Sequence, residues 1–413
     1  MKVKKKIIII KKTKIVKGKK IRVIVRRVRG KGKKKGGAHA ASPQVTKGIN
    51  LFGFTRAEMG IGESGRLAAR SLETTGIPFG ILNYTETNHR MDDLTWRHKE
   101  MNEARYSINL YHLNADNMRG ARRFFGENVF MAPNRYRIGY WHWELPDFPE
   151  DSAAQFWLVN EVWVPTNFVL DSISKKATVP VVKIPHGIEV NVAPEYNRAS
   201  FGLPDDRFLF FSMYDTQSFR ERKNPQAVIE AFKMAFERND PSVGLVLKLN
   251  NPNIHPNDAE VLRQLKEGYD NIYLISSILP KRVVNALTNC TDCFVSLHRS
   301  EGFGLGLAEA MYLGKPVIGT DWSGNTDFMN STNSCPVSYG IVQVGGNYGP
   351  YKAHQFWANP DVRHAAGYML KLVREPEYRR QIAEAGQRTI RSEYSPQVVG
   401  EMMKQRLLRL GLL

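Results

Sequence analysis

With 413 residues the chain is long enough for two or three domains, and its 42% hydrophobic and 24% charged content excludes a disordered or collagen-like polymer. The formal charge of +19 is not spread evenly. Of the 59 Lys and Arg, 18 lie in the first 35 residues and no acid precedes Glu58, which leaves 41 bases against 40 acids in the rest, so the body is close to neutral.

Residues 1–47 form a basic, low-complexity arm ending in a GGAHAASP stretch, expected to be disordered or weakly ordered. Ile7–Ile10 is too short for the apolar core of a secretory signal, and no run of apolar residues is long enough to span a bilayer. Alternation of apolar and basic residues in KIRVIVRRV also suits a strand lying on an anionic surface, while a merely solubilising tail is the plainer reading. The three cysteines exclude a disulfide framework and suit a reducing cytoplasm. Cys290 and Cys293 straddle a helix end and a buried strand, which reads as a core pair rather than a metal knuckle.

From residue 48 to 195 the pattern alternates as a doubly wound sheet does. Strands are predicted at Ile49–Phe54, Pro78–Tyr84, Ser107–His112, Arg137–Trp143, Glu161–Pro165 and Val179–Ile184, with helices at Glu63–Thr74 and Asn167–Lys176. Pro194 and Pro204 mark a linker. A second domain, 196–394, restarts with strands at Phe208–Met213, Val243–Leu249 and Asn271–Ile275 and helices at Pro225–Glu237, Asp258–Lys266 and Lys281–Asn289. Helices at Asp361–Val373, Pro376–Arg391 and Pro396–Leu410 close the chain. The fold class is α/β: two Rossmann-like parallel-sheet domains facing a cleft.

The stretch Ser300–Thr320, SEGFGLGLAEAMYLGKPVIGT, carries the most chemistry. A strand at Asp292–Leu297 feeds a turn with Gly302, Gly304 and Gly306, then a helix that Gly314 stops before the strand Lys315–Thr320. Such a turn lies at the carboxyl end of a parallel strand, where open α/β sheets bind ligands. Gly302 and Gly304 let backbone approach a ligand, and the free N–H groups around Phe303, Gly304 and Leu305 favour a diphosphate. Glu301 and Glu309, eight residues apart, offer carboxylates to hydroxyl groups. A phosphate flanked by two polyols is a nucleotide sugar.

This stretch resembles the E-x7-E signature of retaining glycosyltransferases with the GT-B fold, glycosyltransferase family 4 in particular, and the likeness extends over roughly Ile49 to Leu413. The resemblance implies that residues 395–413 form a helix returning to the N-terminal domain, for which the spacing of Val398, Val399, Met402, Met403 and Leu407 is suited. It implies that Glu301 holds the donor sugar's hydroxyls and Glu309 those of the ribose. In Arg220-Glu221-Arg222-Lys223, Lys223 matches the family's diphosphate-gripping lysine. The usual Gly-Arg pair after the strand is replaced by Met213-Tyr214, a gap that Arg222 is a candidate to fill. Gly60 and Gly62 resemble the glycine loop of the first domain. His142, at the end of the fourth strand, is the candidate for sugar or acceptor contact, with flanking aromatics suited to stacking on sugars; His298 and Asn325 are candidate linings of the donor pocket, and His186 is a further histidine near the linker.

The expected partners are a nucleotide-diphosphate sugar, with a mannose-like hexose as a guess, and a glycan or lipid-linked acceptor in polysaccharide biosynthesis. The location expected is the cytoplasm or the inner face of the plasma membrane, reached through the arm at roughly 1 kcal/mol per basic residue. With no Asp-x-Asp motif in suitable surroundings, no metal and no other cofactor are expected; the diphosphate charge falls to basic side chains and a helix start. Two other readings stand beside this: a phosphorylase or nucleotide-sugar epimerase on the same fold, and a nucleic-acid- or anionic-surface-binding protein that uses the arm and carries an inactive body. A neutral body makes nucleic acid the weaker partner.

Overall fold

The structure, a computed structural model, describes residues 7–16, 19–28 and 45–413. In the arm, β1 (Ile7–Val16) pairs antiparallel with β2 (Lys19–Val28), Ile7 opposite Val28 and Val16 opposite Lys19. The arm is expected to be disordered or weakly ordered, with a strand as the alternative; the density of Ile and Val suits the extended ladder.

The body begins with β3 (Thr46–Gly53), α1 (Gly60–Glu73), β4 (Phe79–Asn83) and β5 (Tyr106–His112). Next come α2 (Met118–Phe125), α3 (Glu127–Phe130), β6 (Tyr136–Tyr140), α4 (Glu150–Ala153), β7 (Glu161–Val164), α5 (Asn167–Ser174) and β8 (Val181–Lys183). These six strands form one parallel sheet in the order β4-β3-β5-β6-β7-β8. Their cores read as near-continuous apolar runs, as strands covered on both faces do.

The second lobe repeats the scheme. It contains β9 (Phe208–Asp215), α6 (Arg220–Lys223), α7 (Pro225–Ala235), β10 (Val243–Asn250), α8 (Pro256–Leu265) and β11 (Ile272–Ile275). There follow α9 (Lys281–Cys290), β12 (Cys293–Ser296), α10 (Leu305–Tyr312), β13 (Val317–Thr320) and β14 (Cys335–Val337). Its sheet runs β11-β10-β9-β12-β13-β14, so strand order reverses between β9 and β12. Glu301 follows β12, at the switch point where such sheets open a crevice.

An element that sequence patterning missed comes next: an antiparallel ribbon of β15 (Tyr339–Gln343) and β16 (Phe356–Pro360). Val344, Tyr351 and Trp357, from this ribbon and its connection, pack into the first lobe's core beside Trp143 and Phe148. The chain ends with α11 (Val362–Arg374), α12 (Pro376–Glu393) and α13 (Pro396–Arg409). Helix α13 lies on the first lobe. Val399, Met403 and Leu407, an i, i+4, i+8 stripe, are buried with Ile49, Leu72 and Trp163. Arg406 reaches the fully buried Glu161, its Nε 3.1 Å from a carboxylate oxygen. Val398 and Met402, expected in the same seam, face solvent instead, because their positions fall off that stripe.

Candidate functional site

The loop after β12 is pinned from several sides. Arg222 donates from Nη1 to the Ser300 carbonyl at 2.8 Å, the Arg299 N–H donates to the Arg222 carbonyl at 2.8 Å, and the Glu301 N–H donates to Ser323 Oγ at 2.8 Å. Gly304 caps α10 at φ +96°, a left-handed backbone that favours glycine. So held, the Glu301 carboxylate meets Arg222 Nη1 at 3.4 Å and Lys223 Nζ in a close contact. Burial alone would raise the Glu301 carboxyl, but the Lys223 and Arg222 charges outweigh it and bring its pKa down to about 2. Burial pulls the Lys223 ammonium down while Glu301 holds it up. With a carboxylate that acidic in contact, the two form an ion pair. Burial also opposes the Arg222 charge, yet Tyr351, Glu301 and Glu144 raise it above the ordinary range. The ribbon connection roofs this half of the site: the Tyr351 ring lies 5.7 Å from the Arg222 guanidinium and its hydroxyl donates to Glu144 Oε2 at 3.1 Å.

Glu309, farther along α10, makes a second charged contact. Lys281 Nζ, at the start of α9, lies 2.6 Å and 2.7 Å from its two oxygens. Burial raises the Glu309 carboxyl, with Lys281 acting against the rise and Glu63 of the first lobe adding to it. Glu63 is itself held low: burial would raise it, but Arg66 and Lys281 prevail.

The first lobe answers with a different chemistry. Where β5 and β6 end, His112 and His142 meet His186 and the α1 residue Ser64. Ser64 Oγ lies 2.5 Å from His112 Nε2 and 3.1 Å from His142 Nε2, and the two Nε2 atoms of His142 and His186 are 3.1 Å apart. Burial holds all three imidazoles neutral: His142 is lowered to about 4, and His112 and His186 fall well below their ordinary range. His142 is the partly exposed member; the other two are buried.

Glu301, Lys223 and Arg222 thus meet, and so do His142 and His186. His298 and Asn325 also meet, Nε2 to Oδ1 at 2.9 Å, but neither exposes any surface; they brace the loop from behind. Phe303 is buried too, edge-on to His186 at 4.8 Å, so it joins the lobes rather than offering a ligand face. Gly302 accepts from Thr166 Oγ1 of the first lobe at 2.9 Å. The helix start moves to Leu305, with Gly304 as its cap. Gly60 and Gly62, expected in a loop, are the first turn of α1. A Cβ on Gly62 would stand 2.1 Å from the Ala57 carbonyl oxygen, so this glycine lets the helix sit on the preceding turn. Tyr140, Trp141 and Trp143 are buried and present no stacking face to a sugar. Sequence reading did not single out His112, Lys281, Glu144 or Tyr351. A strand ending on histidine was a usable signal for the first; the other three reach the site through tertiary packing.

Residues 195–389 match the family model of glycosyl transferases group 1. Similar solved structures include Anabaena HepE in complex with UDP-glucose, at 12% identity and TM-score 0.63, covering 88% of this chain and 100% of that one. Sucrose-phosphate synthase from Thermosynechococcus elongatus aligns at 15% identity and TM-score 0.62, covering 88% and 99%. A stretch of 61 residues is 43% identical to trehalose synthase from Pyrococcus horikoshii, which is 14% of this chain and 15% of that protein. The fold is GT-B.

Proposed function

We propose that the chain, with a GT-B fold and a second lobe matching the group 1 glycosyl transferases, is itself a glycosyltransferase that moves a hexose from a nucleotide-diphosphate sugar to a glycan or lipid-linked acceptor. The observation that carries this reading is the Glu301–Lys223–Arg222 contact at the switch point, backed by Glu309 on α10, the helix that follows the Glu301 loop. Lys223 and Arg222 take the charge of the departing diphosphate, the term that usually dominates such catalysis. Glu301, ionised throughout the physiological range, accepts from the donor sugar's hydroxyls and Glu309 from the ribose. No metal enters this scheme, and a chelator is expected to leave transfer unchanged. The E-x7-E resemblance supports retention of configuration.

A groove of about 470 Å³ supports a glycan acceptor: Phe168 and Asp171 of the first lobe face Asp321, Trp322 and Tyr339 of the second, aromatic surface with acceptor oxygens beside it. Among the described residues no helix is long and apolar enough to cross a membrane. Together with the arm's basicity, that favours a peripheral role at the inner face of a membrane in polysaccharide assembly. The reading is tested by thermal shift against a panel of nucleoside diphosphates and their sugar conjugates. A ligand at a hundred times its dissociation constant adds roughly 2.7 kcal/mol. A panel that leaves the melting curve unmoved defeats the proposal, and the anomeric configuration of the product, read by NMR, decides retention.

A further inference from the structure

In the first-lobe cluster, lone pairs converge. His142 donates from Nδ1 to Asn114 Oδ1 at 3.1 Å, and that oxygen also accepts the His142 backbone N–H at 3.0 Å, which identifies it as the amide oxygen. His142 Nε2 therefore carries a lone pair. Tyr140 gives its only proton to the Ile184 carbonyl at 2.7 Å, so its oxygen is left to accept from His186 Nδ1 at 3.3 Å. That tautomer turns the His186 Nε2 lone pair onto the one at His142, 3.1 Å away. The other tautomer sets the His186 Nδ1 lone pair against the Tyr140 oxygen, with only Ser64 Oγ, 3.4 Å away, to relieve it. That is long for an O–H donor. His112 Nδ1 is buried without a partner, so the ring proton can sit there and leave Nε2 free.

We propose that His112, His142 and His186 bind one divalent transition-metal ion of the zinc type, with the Ser64 hydroxyl or a water as fourth ligand. Zn–N bonds of about 2.0–2.1 Å in a tetrahedron place neighbouring nitrogens roughly 3.3 Å apart. The His142–His186 separation is already close to that, and one nitrogen from each of the three rings lies within 4.8 Å of the others. For His142 and His186, Asn114 and Tyr140 supply the outer hydrogen bonds that fix ring orientation in such sites, while His112 Nδ1 has none. Three neutral imidazoles without a carboxylate suit zinc, cobalt or nickel and not the hard cations magnesium and calcium. Coordination needs only a shift of the His112 proton from Nε2 to Nδ1, and no net proton is released. The ion belongs to the first lobe and not to Arg222 and Lys223, so the site is compatible with a transfer that runs without metal and does not depend on that transfer.

The test is a titration of the full chain, dialysed against chelator, with Co²⁺. Expected are one Co²⁺ per chain at micromolar affinity or tighter, the visible absorption of a four-coordinate centre, displacement by Zn²⁺ and indifference to Mg²⁺. His186→Ala and His112→Gln, each checked for a cooperative melt, remove a ligand and should weaken binding about 100-fold or more, beyond the roughly 10- to 100-fold cost of losing an outer hydrogen-bond partner. If His112→Gln does not fold, His142→Gln, at the partly exposed position, reads the same loss. Absence of the band in excess Co²⁺, or a band that the folded variants form with unchanged affinity, overturns the proposal.

Discussion

The two faces of the crevice are comparably buried and solve that problem in opposite ways. On the second lobe, Glu301 sits against Lys223 and Arg222, and the carboxyl stays ionised down to about pH 2. On the first lobe, His112, His142 and His186 have no counter-charge among their contacts and are held neutral by burial. The contrast follows from what each side contains. Two cations beside one carboxylate leave a net positive charge for an incoming diphosphate, whereas neutral imidazoles keep unprotonated ring nitrogens whose lone pairs are free to act as ligands. A division of labour is built into the two lobes: charged side chains on one, neutral lone-pair donors on the other.

The sharpest way to break that comparison is to remove charge from the second lobe alone. Lys223→Ala is expected to lower turnover by about 10²- to 10³-fold, the range for losing one donor to developing negative charge. Steady-state kinetics on a donor identified by thermal shift reads it. A fall of less than threefold would place the leaving-group charge elsewhere.

Acid separates the two faces next. For His142 the folded pKa, about 4, lies below its ordinary 6.5, so the unfolded chain takes up the proton first. The stability it lends is fully present above pH 6.5 and is lost as pH falls towards 4, a difference of roughly 3 kcal/mol. Glu301 is depressed from 4.5 to about 2, so its contribution is present above pH 4.5 and fades only as pH falls towards 2. Urea denaturation of the chelator-dialysed chain across this range should therefore show loss of stability starting between pH 6.5 and 4, with His142→Gln removing only its share of that first step, since His112 and His186 lose stability from the same pH, and leaving the lower one. A single step below pH 4.5 would mean the imidazoles are not held neutral.

Much of this was legible because the local and global signals agree. Alternating apolar runs and helix stops located the strands that carry the site, and β9, β10, β12 and α7 through α13 fall within a few residues of their expected spans. Glu301, Glu309 and Lys223 were readable because chemistry and spacing coincide within short motifs. The ribbon β15–β16 was not, since Pro, Gly and aromatic residues there give no period, and its Tyr351 matters only through contact with Glu144 and Arg222 from distant parts of the chain. His298 and Asn325 show the converse: residue types suited to a pocket, turned inward because each satisfies the other.

Glu309 gives the smallest expected effect and the finest discrimination. Its carboxylate is gripped by Lys281 and faces the field of Glu63 across the crevice, so its charge is already spoken for before any ligand arrives. Glu309→Gln keeps the length and one acceptor oxygen while removing the charge, and leaves Lys281 to Glu63. If Glu309 holds ribose hydroxyls equally in the ground and transition states, KM for the donor should rise about tenfold, near 1.4 kcal/mol, with kcat unchanged. A drop in kcat at constant KM would mean instead that Glu309 strengthens its hold as the diphosphate leaves. The neutralised charge would then belong with Lys223 in the catalytic half of the comparison, not with the binding of the nucleoside.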